Sequence, residues 1–151
     1  MKRTFLATFL SIVFAMVAVA CHSSDEKEIG YTELPVQAQQ FVKQYFPSAT
    51  YTYVEKEKEK DNGKWEYEAT LSDGTKIDFN NKGEWKSVDC KFSALPSGII
   101  PDVIAADIAK RYPSQQPYKI EKEMGGYEID IPGYDLYYSS AGKFIRVEID
   151  R

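Results

Sequence analysis

The sequence predicts an α+β fold: a tandem repeat of one helix plus four antiparallel strands, the copies merging into one antiparallel sheet of about eight strands with two helices on one face. Three observations predict it. A long pattern is written twice, an apolar stripe of helical spacing heads each copy, and alternating apolar and polar residues punctuated by Gly, Asn and Asp turns follow each stripe. At 151 residues, with 43% hydrophobic and 28% charged content, the composition is that of one globular domain rather than a disordered or membrane-embedded chain.

The first element stands apart from the repeat. Lys2 and Arg3 precede an apolar run from Phe5 to Ala20, after which the chain turns abruptly polar with CHSSDEKE. This is the layout of a signal peptide over residues 1–20, and no second apolar run of membrane-spanning length follows. The cleavage site has two readings. AVA ending at Ala20 suits an ordinary signal peptidase, whereas VAVAC is lipobox-like and would make Cys21 the lipidated residue, although Ala18 stands where such motifs usually carry Leu. Residues 21–30 then read as a flexible tether, and under either reading the chain leaves the cytosol. Loss of the leader removes two cations, leaving 17 Lys and Arg against 23 Asp and Glu and taking the formal net charge from −4 to −6. Nucleic acid is excluded as a natural partner on that balance. Cys90 has no cysteine to pair with if Cys21 is acylated, so the core must come from packing.

The two copies are assigned to residues 31–91 and 92–151, within one globular domain. LPVQAQQFVKQYFP from Leu34 parallels LPSGIIPDVIAADIAKRYP from Leu95; VEKE at 54–57 parallels IEKE at 120–123; WEYEA at 65–69 parallels YEIDI at 127–131. Gly74, Ile77, Phe79, Gly83, Trp85 and Val88 then align with Gly133, Leu136, Tyr138, Gly142, Phe144 and Val147. The offset between matches runs 61, 66, 62 and 59, and each change falls at a turn, where insertions do not disturb strand register. Ala38, Phe41, Val42 and Tyr45 form the first helical stripe, which Pro47 ends; Ile104, Ile108 and Tyr112 form the second, with Pro101 in the opening turn. In the strands, Trp65, Tyr67, Ala69 and Leu71 alternate with Glu66, Glu68 and Thr70, and Ile77 and Phe79 with Lys76 and Asp78. A unit of this size buries little core by itself and leaves open strand edges, which two units can join.

These residues carry a family resemblance. The stretches LP…FVKQYFP, VEKE, YEATLSDGTKIDFNNKGEWKSVDCK and GKFIRVE resemble the PepSY-like proteins of Bacteroidetes, whose fold is similar to the β-lactamase inhibitor protein. The resemblance implies an exported, non-enzymatic module in the periplasm, or anchored to the outer membrane as a lipoprotein, of a Gram-negative bacterium. It implies no specific partner, because fold does not transfer function.

The residues themselves point away from catalysis. The one histidine, His22, lies beside the cleavage site, and no nucleophile-base pair, phosphate-binding glycine loop or zinc pattern is present, so neither metal nor cofactor is expected. The run EKEKEKD from Glu55 places Glu55, Glu57 and Glu59 on one side of a strand, but interleaved lysines and the following turn make it a soluble hairpin. Cys90 shares the parity of Val88 and reads as a small buried hydrophobe. What remains is the sheet face opposite the helices. Parity places Tyr53, Trp85, Tyr137 and Phe144 there among Glu66, Glu68, Glu128 and Asp130, aromatic anchors in a polar surround. The expected function is therefore a binding module, inhibitor-like, presenting this face to a protein or peptide of the cell envelope, for example a secreted or periplasmic enzyme; the alternative is a small-molecule or glycan-binding accessory that stacks its ligand on the same aromatics.

Overall fold

The computed structural model describes residues 26–58, 62–91 and 93–150. The expected signal peptide, Cys21, His22 and Glu59 lie outside the described residues. Among the described residues nine strands form one sheet in sequential order, every neighbouring pair antiparallel: β1 Glu26–Glu28, β2 Tyr51–Lys58, β3 Trp65–Leu71, β4 Lys76–Phe79, β5 Trp85–Asp89, β6 Lys119–Glu123, β7 Gly126–Ile131, β8 Tyr134–Ser139 and β9 Phe144–Ile149. Helix α1 (Val36–Tyr45) precedes β2, and α2 (Asp102–Arg111) separates β5 from β6. Each helix starts directly after a proline, Pro35 or Pro101, and ends at a residue outside the helical region that is followed directly by a proline, Phe46 or Tyr112.

The expected sheet is present with one strand more than anticipated. Glu26–Glu28, read from sequence as tether, pairs with Glu55–Glu57 as β1, and the Ile29 N–H donates to the Val54 carbonyl at 2.9 Å. Three charged residues carry no apolar signal of a strand; the backbone of β2 recruits them. The seam between the halves is β5 against β6, with Val88 opposite Ile120.

One rung of side chains crosses the sheet on the helix side. Val54, Ala69, Ile77, Val88, Ile120, Ile129, Leu136 and Val147 stand opposite one another from β2 to β9. All but Val147 are buried, and Ala38, Val42, Ile104 and Ile108 of the helices close over them in one core. The hairpin turns lock each helix to the sheet. Gly83 (φ +84°) approaches α1 so closely that a Cβ there would sit 2.7 Å from the Pro35 Cβ, and at Gly142 (φ +78°) a Cβ would sit 3.0 Å from Val103 of α2. The positive φ favours glycine at both turns, and at Gly83 the approach of the α1 backbone leaves no space for a side chain either. Cys90 is buried as expected, and burial raises its thiol pKa.

Candidate functional site: the open face of the sheet

The alternation that sends the apolar rung to the helices sends charge to the other face. The row beside the rung reads Glu28, Glu55, Glu68, Asp78, Ser87, Glu121, Glu128, Tyr137 and Arg146, one residue from each strand. Its first four members are carboxylates on adjacent strands, an arrangement that costs stability because like charges face each other at cross-strand distance. A second row reads Tyr53, Thr70, Lys76, Asp89, Lys119, Asp130, Asp135 and Glu148. Glu26, Glu57 and Glu66 extend the acid toward the far end of β2 and β3, where a hollow of about 380 Å³ is lined by Glu55, Glu57, Glu66, Glu68, Asp78 and Glu121, with Lys86 and Lys122 at its side.

A few lysines offset part of this charge. Lys76 contacts Glu68 at 2.6 Å, Lys86 contacts Glu66 at 2.8 Å, and Lys119 sits among Asp130, Glu121 and Glu128 at 3.3, 3.5 and 3.7 Å. The residual crowding shows in the acidities. Burial raises Glu55, reinforced by Glu26 and Glu68 and opposed by a hydrogen bond from Tyr53. Burial also raises Asp78, with Glu68 adding to it, and brings Asp130 up to about 6 despite Lys119. Asp130 Oδ1 is buried without a hydrogen-bond partner. Burial and a hydrogen bond to Glu128 push the Tyr137 hydroxyl up to about 12. Lys119 is held protonated, because its carboxylate neighbours outweigh the burial that opposes its charge. Among the described residues, no group of three or more His, Cys, Asp or Glu is placed to hold a metal ion, and no helix is long and apolar enough to cross a membrane.

Six of the eight residues anticipated for this face are on it: Tyr53, Tyr137, Glu66, Glu68, Glu128 and Asp130. Trp85 and Phe144 are not, and both are corrected by the same device. Asp78 pairs with Ser87 and Phe79 with Trp85, leaving Lys86 as an extra residue; Tyr137 pairs with Arg146 and Tyr138 with Phe144, leaving Ile145 as another. Each bulge reverses the parity of the residue before it. Trp85 therefore packs against the core, its ring 6.2 Å from that of Phe41, and Phe144 meets Tyr138 edge-on at 5.5 Å. The sequence reading passed over Glu28, Asp78, Lys119 and Glu121, and it assigned Glu55 and Glu57 to a mere soluble hairpin. The signal was available in the alternation itself for Glu55, Asp78, Lys119 and Glu121, each next in sequence to a member of the apolar rung, and for Glu57, which shares the parity of Glu55; Glu28 is placed only by its pairing with Glu55.

The fold and this face define an α+β module with one covered and one open sheet surface. The family profile described as "Putative beta-lactamase-inhibitor-like, PepSY-like" matches residues 65–146. A crystal structure described as a periplasmic protein of the DUF2874 family from Bacteroides vulgatus superposes with a TM-score of 0.78 at 31% identity, over 83% of this chain and 98% of that one. A Bacteroides thetaiotaomicron structure, described as a "putative calcium-regulated periplasmic protein", gives 0.75 at 31% identity over 82% and 96%. A second B. vulgatus protein of unknown function, also described as periplasmic, gives 0.78 at 29% identity over 82% and 98%. No curated protein matches the sequence. The chain belongs to the PepSY-like family. The periplasmic description of its structural neighbours supports an exported location.

Proposed function

We propose that this is an exported, non-enzymatic binding protein that presents the open sheet face to a protein or peptide partner in the cell envelope. The observation that carries the reading is the uninterrupted row of charged and polar side chains from β1 to β9, with four adjacent carboxylates at one end. Such a face is costly to build and gains from a partner that supplies cations, so a basic surface or segment is the complement it fits. Two copies of a helix-plus-four-strand unit joined at β5 and β6 form the platform in this reading. The matched bulges and the matched glycine turns against α1 and α2 support duplication. An acyl chain on Cys21 would fix the protein to a membrane with the face free, and mass spectrometry of the mature N-terminus decides that point.

The glycan reading is the weaker one. It rested on four exposed aromatic platforms, of which Trp85 and Phe144 are turned to the helix side, and the guanidinium of Arg146 lies 3.6 Å from the Tyr137 ring centre.

A photo-crosslinking amino acid placed at Glu121 or Tyr53 in growing cells tests the proposal, with the same label at Lys110 on α2 as control. Discrete adducts are expected from the sheet positions, weakened by Glu55→Lys. Adducts from Lys110 with none from the sheet would move the binding surface to the helices.

A further inference from the structure

The two edges of the sheet are built differently. β1 is three residues long and all of them are charged, which discourages pairing with another strand. β9 is six residues long, and Ile145, Val147 and Ile149 on it are exposed at 57%, 42% and 72%. Among the described residues, β9 has β8 on one side and no strand on the other. Its interior counterpart shows what this leaves undone: Val88 of β5, covered by β6 on its far side, is fully buried.

The hydrogen-bonding direction of β9 can be read from its end. The Asp150 N–H donates inward to the Gly133 carbonyl at 3.1 Å. Because strand backbone groups alternate sides, Glu148 and Arg146 also bond inward, and the N–H and C=O groups of Val147 and Ile149 point to the free side. Val147 is therefore able to form a hydrogen-bonded pair across this edge.

We infer that β9 is the docking edge for a second copy of this chain, paired antiparallel to its own β9 about a two-fold axis at Val147. In that register Val147 faces Val147 of the second copy, and Arg146 faces Glu148 of the second copy twice over, at the close, non-hydrogen-bonded positions of the ladder. Ile149 comes opposite Ile145. A two-fold axis normal to the sheet keeps both sets of helices on one side, so the two acidic faces become one surface. Neighbouring registers are rejected by charge: centring on Glu148 or Arg146 puts like charges directly opposite, and centring on Ile149 sets Glu148 against Asp150. The bulge at Ile145 limits the ladder to Arg146–Glu148 and leaves the Ile145–Ile149 crossing as an apolar contact at its ends. Arg146 and Glu148 pair within one chain at 2.7 Å, so the two ion pairs meet across the axis as a four-charge network, and the pairing relies on that network and on the exposed apolar side chains rather than on strand length.

Sedimentation of the exported protein, purified after expression of the full chain carrying Cys21→Ser so that no acyl chain can associate, tests the inference. The Cys21→Ser protein should sediment at twice the chain mass. Arg146→Glu and Glu148→Arg should each sediment as monomers, yet an equimolar mixture of the two should recover the dimer, because opposite charges then face each other at both crossings. Ile149→Lys, at a largely exposed position, should also give monomer and keeps the test valid if a charge variant folds poorly. A monomeric Cys21→Ser protein at its highest soluble concentration, or a dimer that survives both Arg146→Glu and Ile149→Lys, would overturn the assignment.

Discussion

Phe41 in the first half and Asp107 in the second occupy the same place, the sixth residue of their helices, and each reaches toward the bulged end of the strand pair beneath it. Around Phe41 the contact is aromatic. Its ring lies 6.0 Å from Phe79 in an edge-on arrangement, 6.2 Å from Trp85 and 4.8 Å from Tyr45. Around Asp107 the contact is polar. Its Oδ2 accepts from the Tyr138 hydroxyl at 2.9 Å and from Arg111 Nε at 2.6 Å, while the Arg111 guanidinium lies over Phe144 at 4.3 Å. Tyr45 and Arg111, Phe79 and Tyr138, and Trp85 and Phe144 are the corresponding neighbours. One backbone geometry is therefore held in one half by aromatic packing alone and in the other by a charge-assisted hydrogen-bond network over the edge-on ring pair of Tyr138 and Phe144. The fold specifies the slot and leaves its chemistry free, provided each buried polar group is satisfied.

This difference fixes an order of effects. Phe41→Ala removes the hub of three ring contacts from a half-buried site and should cost about 2–4 kcal/mol in denaturant unfolding. Asp107→Ala should cost less, about 1–3 kcal/mol, chiefly because the buried Tyr138 hydroxyl loses its acceptor. Equal losses in the two variants would mean the slots are energetically alike and would break the comparison. Tyr138→Phe, which deletes that hydroxyl and leaves Asp107 its Arg111 partner, should cost about 0.5–1.5 kcal/mol.

Acidity sharpens the contrast further. Arg111, and then Tyr138, hold the Asp107 carboxyl below its ordinary range. Its contribution is complete above the unfolded carboxylate value of about 4 and disappears as pH falls through the lower folded value. Phe41 carries no titrating group, so Asp107→Asn should flatten the acid limb of the stability curve and Phe41→Leu should leave its shape unchanged. The open face acts in the opposite direction. Asp130, brought up to about 6 by burial, takes up a proton on folding between that value and about 4, so acidifying from neutrality to about pH 5 should raise the melting temperature by a few degrees at most. Asp130→Asn should reduce that rise, which a thermal melt across the same window would record, the remainder coming from Glu55 and Asp78, whose carboxyls burial also raises.

Much of the architecture was legible in the sequence, and the parts that were not share one physical origin. The helices were readable because Ala38 and Val42, or Ile104 and Ile108, recur at a spacing that produces one apolar side. The strands were readable because Ile77, Ile129 and Leu136 alternate with charged or polar neighbours. Tyr53, Glu68 and Glu128 of the open face followed from the same phase. Trp85 and Phe144 did not, because counting by twos holds only while every residue has a partner, and one unpaired residue inverts everything on its far side.

By itself, the chain's alternation of apolar and polar residues determined which periodic element each segment forms and which phase of each strand goes to the core, since burial of apolar area is a property each side chain brings with it. Tertiary structure decided the rest: that Glu26–Glu28 joins as a ninth strand, that Lys86 and Ile145 bulge, and that Val88 is sealed while Val147 stands at an open edge. Those outcomes depend on which backbone lies alongside, and a strand's own residues do not encode the identity of its neighbour.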